Sequence, residues 1–273
     1  MSSMKIMVIY FFLFQLFLGV SQEINTKTIE TELIKTFKLE ADAFVGIDDF
    51  ENIYYTRNNI FYKKTPNETH SYSNTQFGEI SSIDIKNPLK ILLFYSGYNT
   101  AIILDNKLNE LTSPINFTSE SLSKNISFAT ISSNNNLWLF SLDDNILRLW
   151  NYQTKKEQFS SQPTPFYAKN FESLQQRSTY KNCWLFGVNM MFKFNEYGTF
   201  GGRFKIDKFD EVQLSENNII FSKNNRLIIY GSESKSLPIN LNQEILIKSF
   251  YFNKNHIYVF DGLKIFVFKI VKI

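Results

Sequence analysis

The sequence predicts an all-β fold, a six-bladed β-propeller, and three observations carry the prediction. First, a polar turn, a short apolar run, a polar tip and a second short apolar run recur along the chain. Ile53, Ile91, Leu137, Cys183, Ile219 and Ile257 mark equivalent positions, spaced by 38, 46, 46, 36 and 38 residues, and periods of about 40 residues with about four strands each mark a propeller. Second, the runs "LLFY", "LWLF", "CWLF" and "IYVF" are continuously apolar, as strands covered on both faces by stacked sheets must be. Third, 28 Phe and 14 Tyr in 273 residues supply ample core. Five or seven blades are the alternative counts. A β-sandwich, or a pair of them, explains the strands but not the regular period.

From the N-terminus, Lys5 is followed by the nearly unbroken apolar run Ile6 to Val20 and then Ser21. That run is shorter than the roughly 20 residues of a spanning helix and fits a signal-peptide core. Gly19 and Ser21 are the small residues a signal peptidase accepts, so residues 1–21 read as a signal peptide cut between Ser21 and Gln22, with an uncleaved anchor as the alternative. The remaining residues, 22–273, read as one propeller domain without a stable membrane span. The expected location is exported: periplasmic, outer-membrane-associated or secreted.

Each phrase then reads as a hairpin of the two middle strands of a blade. Flanking strands are predicted at "SSIDI" and "NISFATI" before the hairpins and at "THSYS" and "GRFKI" after them. The last phrase ends at Ile273 without an outer strand, and Glu32 to Glu40 supplies one. That pairing closes the ring and removes two sheet edges. The tips fall at Asn58-Asn59, Asp144-Asn145, Asn224-Asn225 and Asp261-Gly262. A tight tip needs positive φ, and in a chain with only 10 Gly asparagine is the next most tolerant residue there.

At "DDFENIYY", Asp48 to Tyr55, the phrase resembles the D-x-x-G-N-I-Y blade signature of six-bladed propellers in the NHL and related repeat families, with Glu51 where the glycine stands. The stretch "FGEISSIDIKNPLKILLFY" with "TAIILDNKLNE" is similar to a group of uncharacterised exported propeller proteins of Bacteroidota, over Gln22 to Ile273. The resemblance implies a fold and an exported location. It implies no activity and brings no catalytic residues.

The chemistry-bearing residues are few. Cys183 is the single cysteine, so no internal disulfide forms, and its apolar run reads as a buried strand with an inert thiol. His70 and His256 stand apart, too few for a zinc site. No G-x-S-x-G elbow and no phosphate cradle is present. Asp48-Asp49, Asp143-Asp144 and Asp210-Glu211 read as turns or strand flanks on different blades. No catalytic, cofactor or metal set is therefore named. The net charge of +3 is scattered over both signs, which excludes the clustered basic face of a nucleic-acid binder.

The two longest repeats carry extra residues in Ser113 to Asn125 and in Ser161 to Glu172. Both precede an inner strand, so both are expected on one face, where Phe117, Phe166 and Tyr167 form an apolar lip. In the other reading these aromatics fold back over the core. The expected function is non-catalytic binding of a protein or cell-envelope partner through loops on one face. The alternative is a glycan-acting hydrolase or lyase using acidic residues at the propeller axis.

Overall fold

The structure is a computed structural model that describes residues 27–120, 122–215, 218–231 and 236–272. The predicted signal segment, 1–21, and its cleavage point lie outside the described residues. The first strand, β1, is Ile29–Lys38. Two four-stranded sheets follow, one of β2 (Ala43–Ile47), β3 (Ile53–Arg57), β4 (Ile60–Lys64) and β5 (Thr69–Tyr72), and one of β6 (Ser82–Asp84), β7 (Ile91–Tyr95), β8 (Thr100–Leu104) and β9 (Ile115–Asn116). The next two are β10 (Phe128–Ile131), β11 (Asn136–Ser141), β12 (Ile146–Asn151) and β13 (Lys156–Ser160), then β14 (Gln175–Ser178), β15 (Asn182–Phe186), β16 (Met190–Asn195) and β17 (Phe200–Lys205). The chain ends with β18 (Glu211–Leu214), β19 (Ile219–Lys223), β20 (Arg226–Tyr230), β21 (Ser236–Asn240), β22 (Ser249–Asn253), β23 (His256–Phe260) and β24 (Lys264–Lys272).

These last strands join β1 in one 8-stranded sheet of order β18-β19-β20-β21-β1-β24-β23-β22. β1 pairs antiparallel with β24 from Lys38 opposite Lys264 to Glu30 opposite Lys272, as the sequence predicted for a closing strand. It also meets β21 in parallel, at Ile29 with Ile239 and Glu30 with Asn240. The 8-stranded sheet is thus two antiparallel four-stranded halves, β18 to β21 and β22 to β24 with β1, fused at their outer edges.

The core is divided among the gaps between sheets. Tyr54 and Phe61 pack on Ile91 and Ile102, Leu92 and Ile103 on Leu137 and Trp150, and Trp138 and Leu149 on Cys183 and Phe192. Phe186 and Met191 pack on Val212 and Phe221, Leu227 and Ile229 on Phe250 and Ile257, and finally Phe260 and Ile265 on Phe44 and Tyr55. That last contact returns to the first sheet and closes a ring, so the two layers of a sandwich do not form. The burial explains the composition: β7 and β8 are buried at every residue, whereas the outermost strand β13, Lys-Glu-Gln-Phe-Ser, is mostly exposed. Each fully buried large side chain contributes about 1.5–3 kcal/mol.

Asn58, Asn59, Asn145, Asn224 and Asn225 have φ between 48° and 60°, as predicted for the tips. Their side chains do more than tolerate the turn. Asn59 donates from Nδ2 to Gly78 O (2.7 Å) and accepts at Oδ1 from Ile80 N (3.0 Å). Asn99 does the same with Lys124 O (2.7 Å) and Ile126 N (2.9 Å), and Asn225 with Ile245 O (2.8 Å) and Ile247 N (2.6 Å). In all three, one carboxamide grips the carbonyl of one residue and the amide two residues on, in the connection leading to the next sheet or, for Asn225, to the other half of the 8-stranded sheet. Glycine fits the φ but has no group for this grip, which accounts for asparagine at 59, 99 and 225.

The turns at the opposite end share a second device. Asp48 accepts from Phe50 N (2.9 Å), Asn52 N (3.0 Å), Asn52 Nδ2 (2.8 Å) and Tyr54 OH (2.8 Å). Glu51, where the resembling signature has glycine, adopts φ 62°. Asp105 repeats the turn with Lys107 N and Asn109 N around Leu108 at φ 64°, and Asn195 repeats it with Tyr197 N and Thr199 N around Gly198. The signature is therefore a turn-forming element, and its carboxylate is consumed by it.

Candidate functional site

Because each sheet presents its first strand to the axis, the axial residues are set by register. The second-strand positions Ile53, Leu137, Cys183 and Ile219 face Ile47, Ile131, Ser178 and Leu214 across their pairs. One residue earlier stand Gly46, Thr130, Arg177 and Gln213, and by the same register Asp84 and Tyr251. The latter five line a cavity of about 1270 Å³ running along the axis, to which every innermost strand contributes. Gly46 completes the layer by leaving room: a Cβ there would sit 2.6 Å from the Tyr251 ring, so the ring lies across the glycine, edge-on to Phe44.

The polar groups of this layer fall into two sets. Asp84 is fully engaged, with Oδ1 accepting from Lys86 N (3.0 Å) and Oδ2 from Ile131 N (2.9 Å), beside Lys86 Nζ at 3.5 Å. Lys86 Nζ also donates to Ile131 O (2.6 Å) and Ser178 Oγ (2.7 Å), with Tyr180 OH donating to Lys86 O. A half-buried ammonium so thoroughly satisfied is a clamp between three sheets, since desolvated charge is tolerated only when it is paired.

Arg177 and Glu211 form the second set. Arg177 donates from Nε to Val212 O (3.2 Å) and from Nη1 to Gln176 O (3.1 Å), and Glu211 Oε1 accepts from Gln213 Nε2 (3.0 Å). Burial lowers the Arg177 pKa, with the Glu211 and Asp84 charges opposing it. Burial likewise raises that of Glu211, against the Gln213 bond, the Arg177 charge and the Phe250 amide. The Tyr251 hydroxyl is pushed up by burial and by Asp84, Asp48 and Asp49.

Sequence reasoning missed this layer because "QQRS" and "EVQL" are short, polar and unlike the middle strands. The signal was the period: Asp84, Thr130, Arg177, Gln213 and Tyr251 each lie six or seven residues before a marked second-strand position. The sequence places Asp210-Glu211 in a turn or a strand flank; in the structure Glu211 opens β18 and lines the axis.

The predicted lip residues separate. Phe117 is completely buried against Phe94 and Trp150, so it is core and takes no part in a lip. Tyr167 is half-buried and stacks on Phe200 at 4.1 Å, folded over its sheet. Phe166 alone projects, 76% exposed, from one helical turn, Thr164–Tyr167, that the sequence reading did not foresee. The Cys183 thiol is fully buried and its pKa raised by desolvation. Among the described residues no group of three or more His, Cys, Asp or Glu side chains is placed to hold a metal.

No protein-family model and no curated protein matches the chain. Solved structures do. Virginiamycin B lyase from Staphylococcus aureus is 12% identical with a TM-score of 0.59, over 87% of this chain and 99% of that one. The Cps50 (Swd1) β-propeller domain from Myceliophteria thermophila is 9% identical with a TM-score of 0.57, over 88% of this chain and 100% of its own. A chain of a mitotic checkpoint complex is 9% identical with a TM-score of 0.55, over 92% and 94%. Identities this low show the fold alone: the chain is a β-propeller. The similar structures include an enzyme and a member of a protein assembly, so fold alone decides neither role.

Proposed function

We propose that the chain is a six-bladed propeller, exported by its N-terminal segment, that binds another protein through one face without catalysis. The 8-stranded sheet counts as two blades in this reading, joined where β1 meets β21. The face concerned carries the second-to-third strand tips and the connections between sheets, and we call it the upper face. One observation carries the reading: Tyr98, Leu142, Phe166, Val188, Leu246 and Leu263 are all exposed on tips or connections of this face. None of them lines the axial cavity. On the lower face, exposed Phe50 and Tyr180 belong to the cavity wall, while Leu89, Leu111 and Tyr197 are exposed outside it. Apolar residues spread over a rim suit a macromolecular surface rather than a small ligand. The asparagine grips at Asn59, Asn99 and Asn225 hold these connections in place, which lowers the ordering cost of binding.

The test is a cross-linked pull-down from membrane and soluble envelope fractions, using the wild-type protein, a Phe166→Asp/Leu263→Asp variant and a Phe50→Asp/Tyr197→Asp variant. The partner recovered by wild type is expected to be lost with the first variant and kept with the second. Equal recovery by all three overturns the upper-face reading.

A further inference from the structure

The charges lining the axial cavity balance, with Asp48, Asp49, Asp84 and Glu211 matched by Lys86, Arg177, Lys181 and Lys254. Most are already neutralised within the wall. Asp48 is saturated by its turn, Asp84 is tied to Lys86, and Asp49 pairs with Lys254 at 3.3 Å. Arg177 and Glu211 are different: they stand on adjacent innermost strands, both desolvated, and form no ion pair with each other. Arg177 Nη2 makes no hydrogen bond to a described residue, nor does the Tyr251 hydroxyl, and the Glu211 carboxylate accepts only from Gln213 Nε2 and the Phe250 amide, which leaves acceptor capacity on its two oxygens. None of these atoms is among the buried, unsatisfied ones, so each is reached from the cavity. The guanidinium is anchored through Nε and Nη1 and the carboxylate by Gln213 Nε2 and the Phe250 amide, so both are pre-positioned and both can make a further bond.

A ligand of net charge would leave this balanced wall with an uncompensated charge. A ligand without charge would leave the free hydrogen-bonding capacity of Arg177 and Glu211 unmatched in a poorly solvated space, where an unmade bond to a charged group is costly. A guanidinium is matched by a carboxylate and a carboxylate by an ammonium. We propose that the axial cavity binds a zwitterion, a free amino acid or a short peptide, with its carboxylate on Arg177 and its ammonium on Glu211. The Tyr251 hydroxyl and Gln213 amide complete the polar contacts, and Phe44, Phe128 and Phe252 of the wall receive the side chain. The cavity exceeds the volume of one amino acid, which leaves space for a peptide.

The test is isothermal titration calorimetry on the purified protein with each proteinogenic amino acid, glycylglycine and longer glycine peptides. The N-acetyl and carboxamide derivatives of the tightest ligand, and glucose, are the controls. At least one zwitterion is expected to bind, with loss of either terminal charge weakening it about thirtyfold or more. Amino acids and peptides titrated separately show which source the site prefers. Glu211→Gln is expected to abolish the preference for the zwitterion over its N-acetyl form while keeping the carboxylate-dependent affinity. The wild-type comparison decides the matter even if that variant folds poorly. The proposal is overturned if no zwitterion binds, if the N-acetyl and carboxamide forms bind as well as their parent, or if glucose binds equally.

Discussion

The connections Ser113 to Asn125 and Ser161 to Glu172 look alike in sequence, each an insertion with aromatic residues ahead of an inner strand, yet they meet opposite fates. In the first, Phe117 N donates to Asn99 O at 2.9 Å; in the second, Thr164 N donates to Asn145 O at 2.8 Å. These bonds identify Phe117 and Thr164 as occupants of the same slot, beside a hairpin tip, and both are completely buried. Where the slot takes a phenylalanine, the ring fills the gap against Phe94 and Trp150. Where it takes a threonine, the aromatics come later in the chain, Tyr167 folds back on Phe200 and Phe166 is left outside. Which side an aromatic takes is decided by its offset from the tip bond, not by its hydrophobicity.

The sharpest way to break this comparison is Phe117→Ala. If the slot is core, loss of the ring and the cavity it leaves will cost about 3–5 kcal/mol in denaturant unfolding. A cost below about 1 kcal/mol would return Phe117 to the surface reading.

The next effect tests the tips. Asn99 holds the first connection through Thr118 Oγ1 (2.8 Å), Lys124 O and Ile126 N, whereas Asn145 contributes its backbone carbonyl. Asn99→Gly keeps the positive φ but strands the Ile126 amide and Lys124 carbonyl, with an expected cost of about 1–3 kcal/mol. Asn145→Gly, with φ 56° equally suited to glycine, is expected to change stability by no more than about 0.5 kcal/mol. Equal effects at the two tips would mean that φ, not the grip, selects asparagine.

These residues also show what the chain discloses before folding. That Asn99 and Asn145 fall in turns is local information, carried by the tolerance of asparagine for positive φ between two apolar runs. The grip is not local: it joins Asn99 to Ile126, 27 residues on. The same limit hid Phe117, whose partners Phe94 and Trp150 lie on two different sheets. It hid Arg177 and Glu211 as well, whose strands are too short and polar to stand out. The closing strand was legible because the last repeat lacked an outer strand and the N-terminal segment offered one, a deficit that can be counted along the sequence.

A smaller effect of opposite sign comes from the threonine side of the comparison. Thr164 Oγ1 is buried without a hydrogen-bond partner. Thr164→Val keeps the shape of the slot and removes the orphaned hydroxyl, so it is expected to stabilise the protein by about 1–2 kcal/mol. A destabilised Thr164→Val would mean that the hydroxyl is satisfied in solution and that the slot is wetter than its burial indicates.

The smallest expected change in stability is the one most informative about function. Phe166→Ala removes a ring with little packing beyond its edge contact with Tyr167 at 5.6 Å, so unfolding should shift by less than about 0.5 kcal/mol. In the proposed reading this exposed ring serves a partner contact and not the fold. A partner-binding loss without a stability loss is therefore the expected signature of Phe166, the reverse of that of Phe117. If Phe166→Ala instead destabilises the protein by more than about 1 kcal/mol, the ring packs in solution and the second connection belongs with the first.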